Sequence, residues 1–476
     1  MKITELLKIN AGDDPTAPIV FNIQEVITEL EMHRGYPKPD MAQNKKEYLV
    51  KKHDVLDPTK RPDKLVEVEG GGKRTERVNR LAFPLQKIIV GKAVQFLFGN
   101  PVKLNCQAVT DKEKAVLTAV DRILYDNKID SFNRKIARAM FRCSEVAEYW
   151  YSEKAETHSD YGFPCQFRIK VAIFNPWWDE LLFPWLDEHW QMKAFSRDFV
   201  YHKSDTMKVR CFEVHTDEES MFFQFNNNIW EQVDNTPIII GKIPVVYGRQ
   251  EEVEWAEVQP CIERLEYLLS NFADTNDYHS SPKIFIQGKI VGFSKKGEAG
   301  AILEGEKDST AQYLSWQDAP AAVKLEIETL LRFIYSFTQT PDVSFDSVKG
   351  LQAISGEALK MLFMDAHLKV QEKLEVFDEY LQRRINIVKA FVGKLNTGLA
   401  EEASFLRITP EVEPYMIDDE NNVIKNLVAA NGNKPIISQQ ASVVKSGLTD
   451  DPEADWKKIQ EEAQADNVTN IFGTGN

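Results

Sequence analysis

From Val370 to Val392 apolar residues recur every three or four positions, through Leu374, Phe377, Leu381, Ile385 and Val388, a spacing that predicts one face of a long helix. No proline interrupts the chain between Pro341 and Pro410, so the helix is expected from about Ser355 to Lys394. At ~1.5 Å per residue, roughly forty residues make a rod of roughly 60 Å. A helix of that length needs neighbours to pack against. Its other side carries Lys369, Glu372, Glu375, Glu379, Gln382, Arg383 and Lys389, expected to meet solvent or another subunit.

The same period marks other helices. Leu85, Ile88, Ile89, Val94, Phe96 and Leu97 form one that stops at Gly99 to Pro101. Two further patterns, AVLTAVDRILYDN and IDSFNRKIARAMFRCSEVAEYWY, lie between Lys112 and Tyr149. Ile262, Leu265, Leu268, Leu269 and Phe272 mark another, and Val323, Ile327, Leu330, Ile334 and Phe337 a further one, capped at Asp318 or Ala319 with Pro320 in its first turn. Between these last two, KIFIQG and KIVGF read as a hairpin turning at Gly288, followed by a charged, glycine-containing loop. Two helices running antiparallel as a stem, with a small β insert at the tip, follow from that order.

Residues 165–250 have strand-length apolar runs, dense aromatics and Pro or Asn-Asn punctuation, which predicts an α+β module. The first 75 residues are polar and broken by Pro15, Pro18, Pro37, Pro39, Pro58 and Pro62, with one amphipathic piece, IQEVITELEMHR. They are expected as an arm. Beyond Pro410, NNVIKNLVAANGN, SQQASVVKSG and DDPEADWKKIQEEAQAD read as short helices before a flexible end. The fold class is therefore α+β, predominantly helical.

Composition narrows the function. The chain has 476 residues, 43% hydrophobic, enough for two to four domains with real cores. No apolar run approaches the ~18 residues of a membrane span, and the N-terminus lacks the pattern of a secretory signal, so a cytoplasmic origin is expected. Cys106, Cys143, Cys165, Cys211 and Cys261 are scattered without a CxxC pair and read as reduced thiols. A formal net charge of −15 argues against tight gripping of nucleic acid by phosphate neutralisation. It does not exclude a protein that lets DNA slide past.

Catalytic chemistry is hard to find. In EGGGKRT, Glu67 rather than glycine stands five residues before Gly72, which breaks the phosphate-loop pattern and leaves a mobile loop as the reading. His202 and His215 lie on separate strands with no HExxH motif. Asp418, Asp419 and Glu420 could hold a hard cation, or serve a magnesium-dependent nuclease, but acidic residues ahead of a helix more often cap it. Trp177, Trp178, Trp185 and Trp190 alternate with acids and read as packing residues rather than a base-stacking surface. No enzyme, metal or cofactor is expected.

Three stretches carry a resemblance: VNRLAFPLQKIIVGKAVQFLFGNPV, then RLEYLLSNFADTNDYHSSPKIFIQG, then LLRFIYSFTQTPDVSF followed by ISGEALKMLF and KVQEKLEVFDEYLQRRINIV. In this order the chain resembles the portal proteins of tailed bacteriophages, the family related to the portal of phage SPP1, over about residues 75–400. The resemblance implies a homo-oligomeric ring, typically of twelve subunits, at one vertex of the virion capsid. Double-stranded DNA would pass through it, driven in by the terminase large subunit, with a head-to-tail adaptor docking later. Major capsid and scaffolding proteins would be further partners.

Carried onto this sequence, it implies an arm at 1–75, a wing at 76–250, a first stem helix at 251–280, a clip at 281–318 and a second stem helix at 319–341. A tunnel loop would follow at 342–354, a long wing helix at 355–398, and a crown with a flexible C-terminus at 399–476. Ser344, Asp346, Ser347, Lys349, Gly350 and Gln352 would line the channel, with Lys349 the foremost DNA contact. Lys283, Phe285, Gln287, Lys289, Lys295, Lys296 and Lys307 would face the motor and then the adaptor.

Overall fold

A computed structural model describes residues 1–6, 22–68, 71–202, 207–279, 283–288, 290–293, 303–305, 310–314, 319–342, 363–415, 438–446 and 453–462. The chain divides into two units: Met1–Val348 with Phe363–Tyr415, and Lys349–Leu362 with Met416–Asn476. The described part of the second is helical.

The first unit begins with α1 (Ile3–Leu6), α2 (Ile23–Met32) and α3 (Met41–Tyr48), then an antiparallel ribbon, β1 (Lys64–Val68) and β2 (Gly72–Glu76). After α4 (Leu85–Phe98) and β3 (Lys103–Cys106) come α5 (Asp111–Asp126) and α6 (Ile129–Cys143). The strands β4 (Glu145–His158), β5 (Cys165–Phe174), β6 (Leu181–Leu186), β7 (Met192–His202), β8 (Lys208–His215), β9 (Glu219–Asn226), β10 (Ile229–Pro237) and β11 (Val245–Arg249) follow. They form two antiparallel sheets, β11-β4-β5 and the meander β10-β9-β8-β7-β6.

Next are α7 (Gln259–His279), the strands β12 (Lys283–Gln287), β13 (Ile290–Phe293), β14 (Leu303–Gly305) and β15 (Thr310–Leu314), and α8 (Ala319–Phe337). The unit ends with α9 (Met364–Leu395), α10 (Ala400–Phe405) and β16 (Ile408–Glu411), which pairs with β3. In the second unit, α11 (Gln439–Ser446) and helical residues 453–462 match two of the short helices read past Pro410; NNVIKNLVAANGN lies outside the described residues.

The main core runs from α4, α5 and α6 through α9, with Ile89, Val94, Val120, Ile136, Phe377, Val388 and Val392 all buried. Phe98, Phe141 and Tyr380 meet Phe377 at 5.2, 6.1 and 6.0 Å between ring centres. The apolar positions expected on the long helix face this core. As described, α9 starts at Met364 and has 32 residues, about 48 Å at ~1.5 Å each; residues 355–362 lie outside the described set. A Glu372→Pro change should break this helix where it crosses the core, at a cost of about 3 kcal/mol or more. An unchanged urea unfolding midpoint for the variant would refute that.

Several expectations need correction. The second helical pattern stops at Cys143: Ser144 takes a left-handed conformation (φ 64) and EVAEYWY becomes β4. Glu145, Val146, Ala147 and Glu148 are buried in succession, because both faces of the strand are covered there: Val146, Glu148 and Trp150 lie on one face, Glu145 and Ala147 on the other. Residues 165–250 hold strands and one short 3-10 turn rather than an α+β mixture. Gly72 to Thr75 of EGGGKRT lie on β2, so no helix N-terminus follows these glycines. β12 and β13 do not pair with each other; β12 pairs with β15 and β13 with β14.

Residues 22–34, expected within a surface arm, are packed instead. Ile23, Val26, Ile27 and Leu30 of α2 share a buried cluster with Phe183, Trp185, Phe212 and Phe223 of the five-stranded sheet. The turn beyond it needs glycine: Gly35 has φ +82, and a Cβ there would stand 2.9 Å from Trp190 Cζ3.

Candidate functional site

Out along α7 and back along α8 the chain forms a two-helix stem. β12 leaves α7 and pairs antiparallel with β15, which leads into α8, and Arg264 meets Glu326 at 2.8 Å across the two helices. Ile262 and Leu265 of α7 and Ile334 of α8 fix the base of the stem in the main core.

One side of α7 is a polar zipper. Glu266, Ser270, Asp274 and Asp277 recur at steps of four, four and three, so they share a face. The extended backbone of residues 79–83 lies along it: Asn79 N donates to Asp274 (2.6 Å), Leu81 N to Ser270 Oγ (2.9 Å) and Phe83 N to Glu266 (2.8 Å). Asn79 Nδ2 also donates to Asp277 (2.7 Å). Arg61 adds bonds to Asp274 and Asn271, both 2.7 Å.

Buried His53 stands between the Glu266 carboxylate and the Glu47 carbonyl, each 2.7 Å from a ring nitrogen. Burial pushes its pKa down, but the Glu266 bond and charge, the Glu47 carbonyl and Glu263 outweigh it and hold the imidazole above its ordinary value. The sequence held this zipper as a polar stripe on a helix. Periodicity alone could not say whether backbone or water covers it.

The segment between the stem and the long helix leaves after Asp342 and rejoins the described chain at Phe363. Both ends meet α4 one turn apart. The Lys92 ammonium donates to the Pro341 carbonyl, and the Phe96 ring packs on Phe363 at 5.5 Å between centres. Lys369, in the second turn of α9, donates to the Thr338 carbonyl (2.7 Å) and pairs with buried Glu254 (2.7 Å); Lys373 stands 3.4 Å from the same carboxylate. Burial pushes the Glu254 carboxyl up, yet the two lysines outweigh it and hold it below the usual range. Lys369 was expected on the exposed side of the rod; it and Lys389, whose ammonium meets the Leu406 carbonyl, are buried clamps instead.

Ser344, Asp346, Ser347, Lys349, Gly350 and Gln352 lie outside the described residues, as do Lys289, Lys295, Lys296, Lys307, Asp418, Asp419 and Glu420. Lys283, Phe285 and Gln287 are alternate residues of β12, and Gln287 is exposed. His202 and His215 stand at opposite ends of the β7–β8 pair; His215 is buried against Tyr149 and bonded to Ser220. Among the described residues no three His, Cys, Asp or Glu side chains gather as a metal site. All five cysteines are unpaired, and burial pushes the Cys143 thiol up to about 12, far from a reactive thiolate. Trp185 is buried, Trp177 packs on Tyr48, and Trp178 and Trp190 are largely exposed. Among the described residues no helix is long and apolar enough to cross a membrane.

The arrangement is a braced two-helix pair and a chain segment whose two ends are clamped on one helix. Residues 29–469 match the family described as phage portal protein, SPP1 Gp6-like, and the chain belongs to it. No curated protein matches. Two solved chains are similar at 10% identity and TM-score 0.35. One, from the virion of a native gene transfer agent particle, covers 89% of this chain and 99% of its own. The other, from the neck of that particle determined with C12 symmetry, covers 88% and 97%. The portal family is structural rather than enzymatic.

Proposed function

We propose that this chain is the subunit of a ring, of about twelve copies, at one capsid vertex of a virion, and that double-stranded DNA enters and leaves through its channel. The stem of α7 and α8 forms the wall, and the strands β12 to β15 form the clip that meets the terminase motor and later the head-to-tail adaptor. Residues 342–354 form the tunnel loop, with Lys349 its foremost phosphate contact. The observation that carries this is the clamping of residues 341 and 363 on one turn of α4, through Lys92 and Phe96, within a chain of the portal family. A conduit needs a fixed wall and a compliant constriction. Anchoring both ends of the intervening segment to the wall lets it yield without loosening the ring. A net charge of −15 keeps phosphates from binding too tightly to move.

Shortening the segment between Asp342 and Gly350 should therefore leave ring assembly intact while reducing DNA-filled capsids at least tenfold. Native mass spectrometry and a count of filled particles measure the two. Filled capsids at normal yield, or failure to form rings, would overturn the loop assignment.

A further inference from the structure

Residues 47–83 are held on α7 through polar groups, and among the described links His53 alone has an ordinary pKa near neutrality. Arg61 and Lys64 reach Asp274, Arg61 also reaches Asn271, and Asn79, Leu81 and Phe83 bond to Asp274, Ser270 and Glu266, all groups without an ordinary pKa between about 6 and 9. His53 stands between two 3-10 turns, Val50–Lys52 and Asp54–Leu56. Both of its ring nitrogens meet acceptors: Nδ1 lies 2.7 Å from the Glu266 carboxylate and Nε2 2.7 Å from the Glu47 carbonyl. A neutral imidazole has one N–H and serves only one of them. Both bonds form only when the His53–Glu266 pair carries one proton beyond neutral imidazole and carboxylate, and that proton belongs to the pair.

The pair is closed to water, with 4% of the His53 side chain and 3% of the Glu266 side chain exposed, so a bond lost there is not replaced by solvent. The same Glu266 oxygen accepts the Phe83 N–H at 2.8 Å, which ties the residue 79–83 strand to the fate of the pair. Other charges around it are mostly engaged. The Glu47 carboxylate of α3 accepts from Trp255 Nε1, Asp54 pairs with Lys46 and Lys60, and Tyr267 of α7 stands near Asp54. Lys87 of α4 lies over the Tyr48 ring, and Lys51 and Lys52 are exposed. Burial opposes the extra proton, but the bond and charge of Glu266, the Glu47 carbonyl and Glu263 outweigh it and hold it above the ordinary histidine value. We propose that the His53–Glu266 pair is a pH-sensitive latch, which fastens residues 49–57 and 81–83 to α7 while it holds the proton and loosens them when the proton leaves. A proton bound more tightly in the folded chain stabilises the closed latch fully below the unfolded value of about 6.5, and that stabilisation is lost as the pH rises through the raised value. Arg61 and Asn79 keep their bonds to Asp274 throughout, so the loosening is local.

The test is amide hydrogen exchange of the full-length protein from about pH 6 to 9, expressed as protection factors so that the intrinsic pH dependence of exchange drops out. The amides of Lys52, His53, Leu56 and Asp57 bond within the two turns and report on them. Expected is protection of residues 52–57 and 81–83 that falls about tenfold across the range, while that of residues 380–392 in α9 stays level. Glu266→Gln keeps an acceptor for the Phe83 N–H but not the charge, and its midpoint should lie about one pH unit lower or more. His53→Gln, which does not titrate, should show no fall. Wild-type protection that stays level, a fall shared equally by α9, a fall that His53→Gln retains, or a Glu266→Gln midpoint at the wild-type value would each overturn the inference. Should His53→Gln not fold, the wild-type profile and the Glu266→Gln midpoint decide.

Discussion

Arg384→Ala should lower stability by about 3–5 kcal/mol, the cost of breaking a buried ion pair by removing one partner. Arg384, in the middle of α9, forms two bonds to Glu148 of β4, at 2.8 and 2.6 Å, with side-chain exposures of 3% and 0%. It also donates to Asn133 of α6, and Trp150 Nε1 donates to the same carboxylate at 2.9 Å. One guanidinium therefore joins long helix, sheet and α6 inside the core. Removing it leaves the Glu148 carboxyl with the Trp150 indole N–H as its remaining side-chain donor among the described residues, in a site closed to water. Arg384→Met/Glu148→Gln removes both charges and should recover more than half of the loss. Urea unfolding at fixed protein concentration measures both. Additive losses in the double variant would show that Arg384 acts by filling space rather than by compensating charge.

The sequence made the helices legible because each carries an apolar stripe deep enough to bury: α4, α7, α8 and α9 fall where the spacing of Leu85–Leu97, Ile262–Phe272, Val323–Phe337 and Val370–Val392 puts them. What stayed hidden is polar. Lys369 and Lys389 were read on the wet side of the rod, and no local period marks Arg384, or Glu266 on α7, as buried. What covers such groups is set by partners on other elements, 236 residues away for Arg384 (Glu148), 195 for Asp274 (Asn79) and 17 for Lys389 (Leu406). No local period encodes such a partner. Strand pairing between α7 and α8 was hidden for a related reason: KIFIQG and KIVGF are adjacent in sequence, but β12 takes β15 and β13 takes β14. The packing of the N-terminal segment was missed because its prolines advertise irregular backbone, whereas burial is decided by the short stripe Ile23, Val26, Ile27 and Leu30.

Arg34→Ala should cost a similar ~3–5 kcal/mol at pH 8, and the cost should shrink as the pH falls. Arg34 follows α2 and pairs with Glu145 of β4, each side chain 4% exposed; it also donates to the Leu182 carbonyl of β6, so it links the two sheets. Glu145 has a second donor in Tyr247, whose hydroxyl lies 2.6 Å away. Burial already pushes the Glu145 carboxyl above its ordinary value, with Arg34 the largest force pulling it back, so loss of Arg34 raises it further. A carboxyl that binds its proton more tightly folded than unfolded gains stability as the pH drops through the raised value, and the gain is complete near the unfolded value of about 4.5. The gap between Arg34→Ala and wild type in urea midpoint should therefore be widest at pH 8 and narrow toward pH 5. A gap that stays constant across that range would mean that Glu145 remains ionised without Arg34. The guanidinium would then serve the Leu182 carbonyl and the join between sheets rather than the buried charge.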